Sequence, residues 1–215
     1  MLPQILSSAE VRVLGSLIEK ELSTPDHYPL SLNALTAACN QSSNREPVTA
    51  YDSDAVTAAI TTLRRQGLVR SFQGSGERVP KYQHLLADTN ELTREELAVL
   101  CVLMLRGPQT LNEVRTRAAR LLPGDDADGV EAALNTLILR EPAPAVTRLA
   151  RRPGQKETRF AHLLAGEVVY EQEDATASPA ASPDRIAVLE ELTLELRAEV
   201  TDLRAQLDAF RKQFE

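Results

Sequence analysis

The fold is decided by a stretch of ten residues that occurs twice in the chain, as DAVTAAITTL at residues 54–63 and as DGVEAALNTL at residues 128–137. In both copies the third, sixth, seventh and tenth residues are apolar. This spacing of three and four residues is typical of the buried face of an amphipathic helix. The sequence therefore predicts the same helix twice, and with it an internal repeat.

The repeat continues upstream of this helix in both copies. SSAEVRVL at residues 7–14 matches TREELAVL at residues 93–100, and both begin with the Ser/Thr-x-x-Glu capping box that starts a helix. SLNAL at residues 31–35 matches TLNEV at residues 110–114 and predicts a second helix. Each copy is thus expected to contain three helices in the same order.

Downstream of the third helix the apolar pattern changes from that of a helix to that of a β-hairpin. The first copy predicts strands from Leu68 to Phe72 and from Val79 to His84, and the second predicts strands over residues 146–149 and 158–163. Three helices followed by a hairpin are the order of a winged helix-turn-helix. We expect a mainly α fold with small β-hairpin wings, built as two tandem winged helix-turn-helix domains.

The expected domains are a first winged-helix domain at residues 1–87 and a second at residues 88–165. Residues 166–184 are rich in Ala, Ser, Pro and acids and predict a flexible linker. Residues 185–215 follow a heptad repeat and predict a coiled-coil helix. This helix either folds back on the winged domains or self-associates, and its strict spacing favours a homodimer. Its seam positions are Ile186, Leu189, Thr193, Leu196, Val200, Leu203, Leu207, Phe210 and Phe214.

The charge of the chain is unevenly distributed along its length. The net charge is −7, which by itself argues against a nucleic-acid partner. Residues 1–87 hold 8 basic and 8 acidic residues, and residues 88–165 hold 11 of each. All of the excess acid lies in residues 166–215, so either copy of the repeat is able to present a basic face.

Four motifs in the repeat resemble those of a known family. They are TPDHYPLSLNAL at residues 24–35, ACNQSSNREPV at residues 38–48, LRGPQT at residues 105–110 and PGQKE at residues 153–157. With these motifs the chain resembles the bacterial YceH family of tandem winged-helix proteins. The resemblance covers roughly residues 5–165 and the acidic C-terminal helix. It implies a fold, and it implies no reaction, ligand or functional residue.

Side chains that could carry catalysis are few, and each has a structural interpretation. Cys39 and Cys101 stand in apolar helical stretches and are expected in the core. His84 and His162 occupy equivalent places at the end of a wing strand and are expected to be satisfied structural histidines. Asp26 and His27 stand between prolines and are expected to shape a turn. With no cluster at metal-ligand spacing, we expect no enzyme, no metal and no cofactor.

No segment predicts a membrane span or an export signal. The longest apolar run, residues 97–105, has nine residues, whereas a bilayer needs ~20. The N-terminus has no basic patch, apolar core or cleavage site. We expect no membrane contact and a cytoplasmic location.

The candidate functional residues are cations and short polar side chains. In a winged helix the third helix enters the major groove and the wing reaches a phosphate or the minor groove. The first copy offers Asn44, Arg45, Thr57, Thr61, Arg64, Arg65, Arg70, Arg78 and Lys81. The second copy offers Arg115, Arg117, Arg120, Arg148, Arg151, Arg152, Lys156 and Arg159, and it is the more basic of the two. Its third helix, however, presents Glu131 and Asn135 outward.

Two functions agree with these residues. The first is a DNA-binding protein that regulates transcription as a dimer, with DNA as its partner. The second is a non-enzymatic adaptor whose winged helices bind a protein partner, since the fold alone does not prove DNA contact. A continuous positive stripe across the wing and the third helix favours DNA, and an apolar groove between the copies favours a protein.

Overall fold

The computed structural model of the chain describes residues 5–73, 79–125, 127–151, 155–168 and 201. Over these residues the protein is mainly helical, with two small antiparallel sheets. Met1–Val169 form one compact unit and Tyr170–Glu215 form a second. The predicted coiled coil, apart from Thr201, lies outside the described residues, as does the predicted linker beyond residue 168.

The first half of the large unit begins with three helices and ends with a hairpin. Its elements are α1 (Ser8–Ser23), β1 (Leu30–Ser31), α2 (Leu32–Cys39), α3 (Ser53–Arg65), β2 (Val69–Phe72) and β3 (Lys81–His84). A short helix, α4 (Leu86–Asn90), leads to the second half. The predicted division at residues 87 and 88 falls inside α4, and both halves belong to one compact unit.

The second half repeats the first element by element. Its elements are α5 (Arg94–Arg106), β4 (Gln109–Thr110), α6 (Leu111–Ala119), α7 (Asp128–Leu139), β5 (Val146–Arg148) and β6 (Arg159–His162). The internal repeat predicted from the sequence is thus present in the fold.

The predicted capping boxes at the starts of α1 and α5 are confirmed. Ser7 Oγ accepts from the backbone amide of Glu10 at 3.4 Å, and the amide of Ser7 donates to Glu10 Oε2 at 2.7 Å. Thr93 and Glu96 form the same pair of bonds, at 3.2 and 2.9 Å. These reciprocal bonds satisfy amides that a helix start leaves free, and so they fix where each half begins.

Each sheet contains a third strand that the sequence pattern did not predict. The strand orders are β1-β3-β2 and β4-β6-β5, all antiparallel. Leu30 in β1 pairs with Tyr82, and Gln109 in β4 pairs with Phe160. Two residues are too few to show an alternating pattern. The extra strands attach the N-terminus of α2 and α6 to the hairpin of the same half.

The two halves share a single apolar core. Its centre is the packing of α1 against α5, where Leu14, Leu17, Leu100 and Leu103 have no exposed surface. Cys101 Sγ lies 3.5 Å from the carbonyl oxygen of Gly15 in this contact. Both cysteines are buried, as predicted. Among the described residues, no helix has the length and apolar character needed to cross a bilayer.

Candidate nucleic-acid interface

The third helix of the first half, α3, divides cleanly into a buried face and an exposed face. Val56, Ala59, Ile60 and Leu63 are at most 5% exposed and pack into the core. The candidate residues of α3 lie on the opposite face and are all exposed; they are Thr57, Thr61, Arg64 and Arg65. The placement follows directly from the helical period, because residues one turn apart share a face.

The hydroxyls on this face are partly committed to the helix. Thr57 Oγ1 donates to the carbonyl oxygen of Ser53 at 2.7 Å, and Thr61 Oγ1 donates to that of Thr57 at 2.8 Å. Each hydroxyl thus has its hydrogen occupied and its oxygen free to accept. The exposed face therefore offers hydrogen-bond acceptors from its threonines and donors from its arginines.

The two arginines stand at the C-terminal end of α3. Arg65 Nη2 donates to Thr62 Oγ1 at 3.2 Å. The guanidinium of Arg64 is exposed and has no hydrogen bond or ion pair among the described residues. Cations at this end also complement the negative pole of the helix dipole. They are the charges on α3 best placed to meet an external anion.

The sheet of the first half adds cations next to α3, from which only Gln66, Gly67 and Leu68 separate it. Arg70 lies opposite Gln83 in the register, and Phe72 lies opposite Lys81, so these four side chains share one sheet face. With the Gln83 amide oriented so that its oxygen faces Arg70, Arg70 donates to that oxygen from Nε and Nη2 at 3.0 and 2.8 Å. Arg70 is exposed, and Lys81 is half-buried. Arg78, predicted in the wing of the first copy, lies outside the described residues.

Arg45 lies in the interior rather than in the predicted interface. It is 5% exposed, and it forms two parallel bonds with Glu19, Nη1 to Oε1 at 3.0 Å and Nη2 to Oε2 at 2.6 Å. Burial raises the pKa of Glu19, but the hydrogen bonds and charge of Arg45, together with smaller contributions from Lys20, hold that pKa below its usual value. An arginine so enclosed is not available to a phosphate.

A second buried arginine, Arg12 of α1, was not among the candidates. It is 4% exposed and donates to the carbonyl oxygens of Cys39 and Pro47 at 3.0 and 2.5 Å. Burial and the positive charge of Arg45 lower the pKa of Arg12. Together the two guanidinium groups hold residues 38–47 in place. These residues run from the end of α2 into the segment that leads to α3. The only sequence signal was a cation within the mostly apolar stretch of residues 11–18.

In the second half, one carboxylate holds two of the predicted cations. Glu113 Oε2 lies 3.3 Å from Arg159 Nη1, and Glu113 Oε1 lies 3.4 Å from Arg117 Nη2. Arg159 also donates to the carbonyl oxygen of Pro108 at 2.9 Å. Glu113 also caps the start of α6. Arg117 and Arg159 are therefore engaged in contacts that hold α6 and β6 together.

The remaining predicted cations of the second half have different environments. Arg148 lies over the ring of Phe160, 5.5 Å from its centroid, and Arg151 Nε donates to Thr158 Oγ1 at 3.4 Å. Lys156 is exposed and Arg115 is half-buried. Arg152 lies outside the described residues. Arg117 and Arg120 join Asn44 at a cleft between the halves.

The third helix of the second half, α7, presents no cation on its exposed face. Glu131 and Asn135 are exposed, as predicted, and Leu139 is 78% exposed. Helix α3 is therefore a better candidate for nucleic-acid contact than α7. The second half has more basic residues, but the first half has the better candidate recognition helix.

Comparisons with known proteins agree on one family. Residues 6–155 match the family model described as "Protein of unknown function, DUF480". The chain is 51% identical to a UPF0502 protein of Pelobacter propionicus over 98% of its own length and 99% of the relative's. It is 50% identical to a UPF0502 protein of Geobacter sulfurreducens, with the same coverage. It is 45% identical to one of Aliivibrio fischeri over 94% of this chain and 95% of that one.

These matches span the repeat and confirm the resemblance to the YceH family that the sequence motifs indicated. The chain belongs to the DUF480 family, as a relative of the UPF0502 proteins.

Proposed function

We propose that this protein binds duplex DNA, with each half acting as a winged helix-turn-helix and α3 of the first half as the recognition helix. The observation that carries the proposal is the exposed face of α3, where Thr57, Thr61, Arg64 and Arg65 stand together opposite a fully packed apolar face. A groove-binding helix needs such a face, polar and cationic outside and anchored inside.

The proposed contacts divide into two kinds. Arg64, Arg65 and Arg70 neutralise phosphates, which gives affinity without sequence information. Thr57 and Thr61, with their hydroxyl hydrogens held by the helix, accept from the exocyclic amino groups of cytosine or adenine at the groove edge. Regulation of transcription is the corresponding role, and a dimer through the C-terminal helix would place two copies of α3 on two half-sites.

The test is DNA binding measured by fluorescence anisotropy on genomic duplex fragments between about 50 and 200 mM salt. If about six phosphates are neutralised, log affinity falls with log salt with a slope of about −5. The double variant Arg64→Gln, Arg65→Gln is expected to reduce the magnitude of this slope by about 2.

The matched control is the double variant Arg151→Ala, Arg152→Ala, which removes two cations from the other hairpin. We expect a smaller loss of affinity than in the α3 variant. If the control variant loses more affinity than the α3 variant, the contact surface lies on the second half. If affinity does not depend on salt, the protein does not contact phosphates.

A non-enzymatic adaptor is the second candidate, and the surface of α7 favours it. Leu139 is 78% exposed beside a helix face that carries Glu131 and Asn135. An apolar side chain with acidic and neutral neighbours suits a protein partner better than a phosphate backbone. The same salt titration separates the two functions, because an adaptor gives no salt-dependent DNA binding.

A further inference from the structure

A cleft of about 80 Å³ lies between the two halves of the large unit. Three arginines of the second half line it, Arg106 at the end of α5 and Arg117 and Arg120 at the end of α6. Glu19 and Asn44 line it from the first half. One water needs about 10–15 Å³ of such space, so the cleft has room for a small polyatomic ion or several waters.

Among the described residues, the charges around the cleft are not balanced. Both carboxylate oxygens of Glu19 are bound by Arg45, and Glu113 is shared between Arg117 and Arg159. Arg120 is exposed and has no hydrogen bond or ion pair among the described residues. The carbonyl ends of α5 and α6 offset roughly half a charge each. The guanidinium groups still leave a positive excess at the cleft.

The surroundings of Arg106 reflect this excess. Burial, followed by the positive charge of Arg117, lowers the pKa of Arg106; the carboxylate of Glu19 opposes this shift, and Arg45 and Arg120 add to it. Like charges gathered at a partly buried place are costly unless a counter-ion joins them. A bound anion would relieve this repulsion.

Asn44 supplies a neutral donor to the same cleft. Arg106 Nη2 donates to Asn44 Oδ1, and Asn44 Nδ2 has no hydrogen-bond partner among the described residues, so it remains a donor. The backbone of Asn44 has a φ of 61°, in the left-handed region that asparagine tolerates better than most residues. The loop between α2 and α3 thus presents this side chain to α5.

We propose that the cleft binds one phosphate-sized oxyanion, held by Arg106, Arg117 and Arg120 and by the amide of Asn44. Charge-assisted bonds from guanidinium groups are the usual means of holding such an ion. The ion bridges the two halves, since Asn44 belongs to the first and the arginines to the second. This site does not depend on DNA binding by α3.

The test uses the full chain and inorganic phosphate, titrated against chloride at constant ionic strength, with the thermal midpoint and isothermal calorimetry as readouts. Phosphate is expected to raise the midpoint in a saturable manner. Arg120→Gln, at an exposed position, is expected to weaken phosphate binding about tenfold or more. Arg115→Gln, on the same helix but outside the cleft, is expected to leave it unchanged.

A second arm identifies the source of the oxyanion. If phosphate stabilises the wild-type protein and Arg120→Gln abolishes this, the ligand is a free anion. If phosphate has no effect but Arg120→Gln lowers affinity for duplex DNA more than Arg115→Gln does, the oxyanion is a backbone phosphate. If Arg120→Gln and Arg115→Gln behave alike toward both probes, the site does not exist. Arg64→Gln, Arg65→Gln leaves phosphate binding intact, so failure of the α3 proposal is distinguishable from failure of this one.

Discussion

Gly15 in α1 lies directly against Leu105 in α5. A Cβ placed on Gly15 would be 3.0 Å from Leu105 Cδ2 and 3.1 Å from Leu105 Cγ, and it would be 3.3 Å from Met104 Cβ. These distances are shorter than ordinary van der Waals contact. The missing side chain therefore lets the first helices of the two halves approach each other within the shared core.

Gly15→Ala is expected to destabilise the protein, although alanine is the better helix former. Overpacking of a core costs about 1–3 kcal/mol, against a gain of about 1 kcal/mol in helix propensity. We expect a net loss of about 1 kcal/mol in the free energy of unfolding, measured by urea denaturation.

Gly129→Ala in α7 is the matched control. A Cβ there would meet only the side chain of half-buried Glu95, with Cγ at 3.1 Å. That flexible chain can move aside, so this variant should be neutral or stabilised by up to about 1 kcal/mol. If the two variants have equal stability, the contact between α1 and α5 is looser than described.

Glu19→Gln is expected to be strongly destabilising because it leaves Arg45 charged and unpaired in the interior. Breaking a buried pair by removing one partner costs about 3–5 kcal/mol. The double variant Glu19→Leu, Arg45→Met should recover much of this loss, since it removes both charges. A double-mutant cycle of chemical denaturation, with Glu19→Leu and Arg45→Met as its single variants, measures the coupling.

Lys20→Gln serves as the control for this pair. Lys20 Nζ lies 3.4 Å from Glu19 Oε2 but is partly exposed, and such pairs contribute about 0–1 kcal/mol. A loss from Lys20→Gln as large as that from Glu19→Gln would show that Arg45 is not the partner that matters.

Stability is also expected to fall in mild acid because of His162. Burial lowers the pKa of His162 to about 4, whereas an unfolded histidine has a pKa of about 6.5. Between these values the unfolded state binds a proton that the folded state does not. Stability is therefore lost as pH falls from about 6.5 to 4, by at most about 3 kcal/mol.

His162→Gln should remove this part of the pH dependence, as seen in denaturation midpoints measured at a series of pH values. His27→Gln is the control, since His27 is exposed at the end of a short 3-10 helix, Pro25–His27. The informative quantity is the change of the denaturation midpoint with pH between 6.5 and 4. If His162→Gln leaves this change as it is in the wild-type protein, His162 is not the group responsible. The histidine was expected to be satisfied, yet its Nδ1 has no hydrogen-bond partner among the described residues.

Tyr28→Phe is expected to loosen the sheet of the first half. The Tyr28 hydroxyl oxygen accepts from the backbone amide of His84 at 2.7 Å, and burial raises the pKa of Tyr28. Removing the acceptor leaves an enclosed amide unsatisfied, which costs about 1–3 kcal/mol. Tyr82→Phe, whose hydroxyl has no hydrogen bond among the described residues, should cost less. Amide hydrogen exchange at His84 reports the loosening directly.

Most of the helical framework could be predicted from the sequence because its signals are local. The apolar spacing that begins at Val56 and at Val130 predicted α3 and α7, and the capping boxes at Ser7 and Thr93 located two helix starts. The two-residue strands β1 and β4 were missed, since so short a segment shows no period. Helix α4, with five residues, was missed for the same reason.

The candidate site was predictable only where exposure follows from a periodic element. Thr57, Thr61 and Arg64 face outward because their helix buries the other side. Arg45 was misplaced because its partner, Glu19, stands 26 residues earlier and a polar loop carries no sign of such a partner. The role of Glu113 was hidden in the same way, since it meets Arg159 through a contact across 46 residues.

The buried guanidinium groups of Arg12 and Arg45 order the segment that leads from α2 to α3. They donate hydrogen bonds to the carbonyl oxygens of Ala38, Cys39 and Pro47. The backbone that leads to α3 is therefore held in place by buried side chains. For the DNA contact proposed above, this segment is thus ordered by folding and before binding. Association then orders little additional backbone, and the strength of a complex depends on the surface contacts themselves.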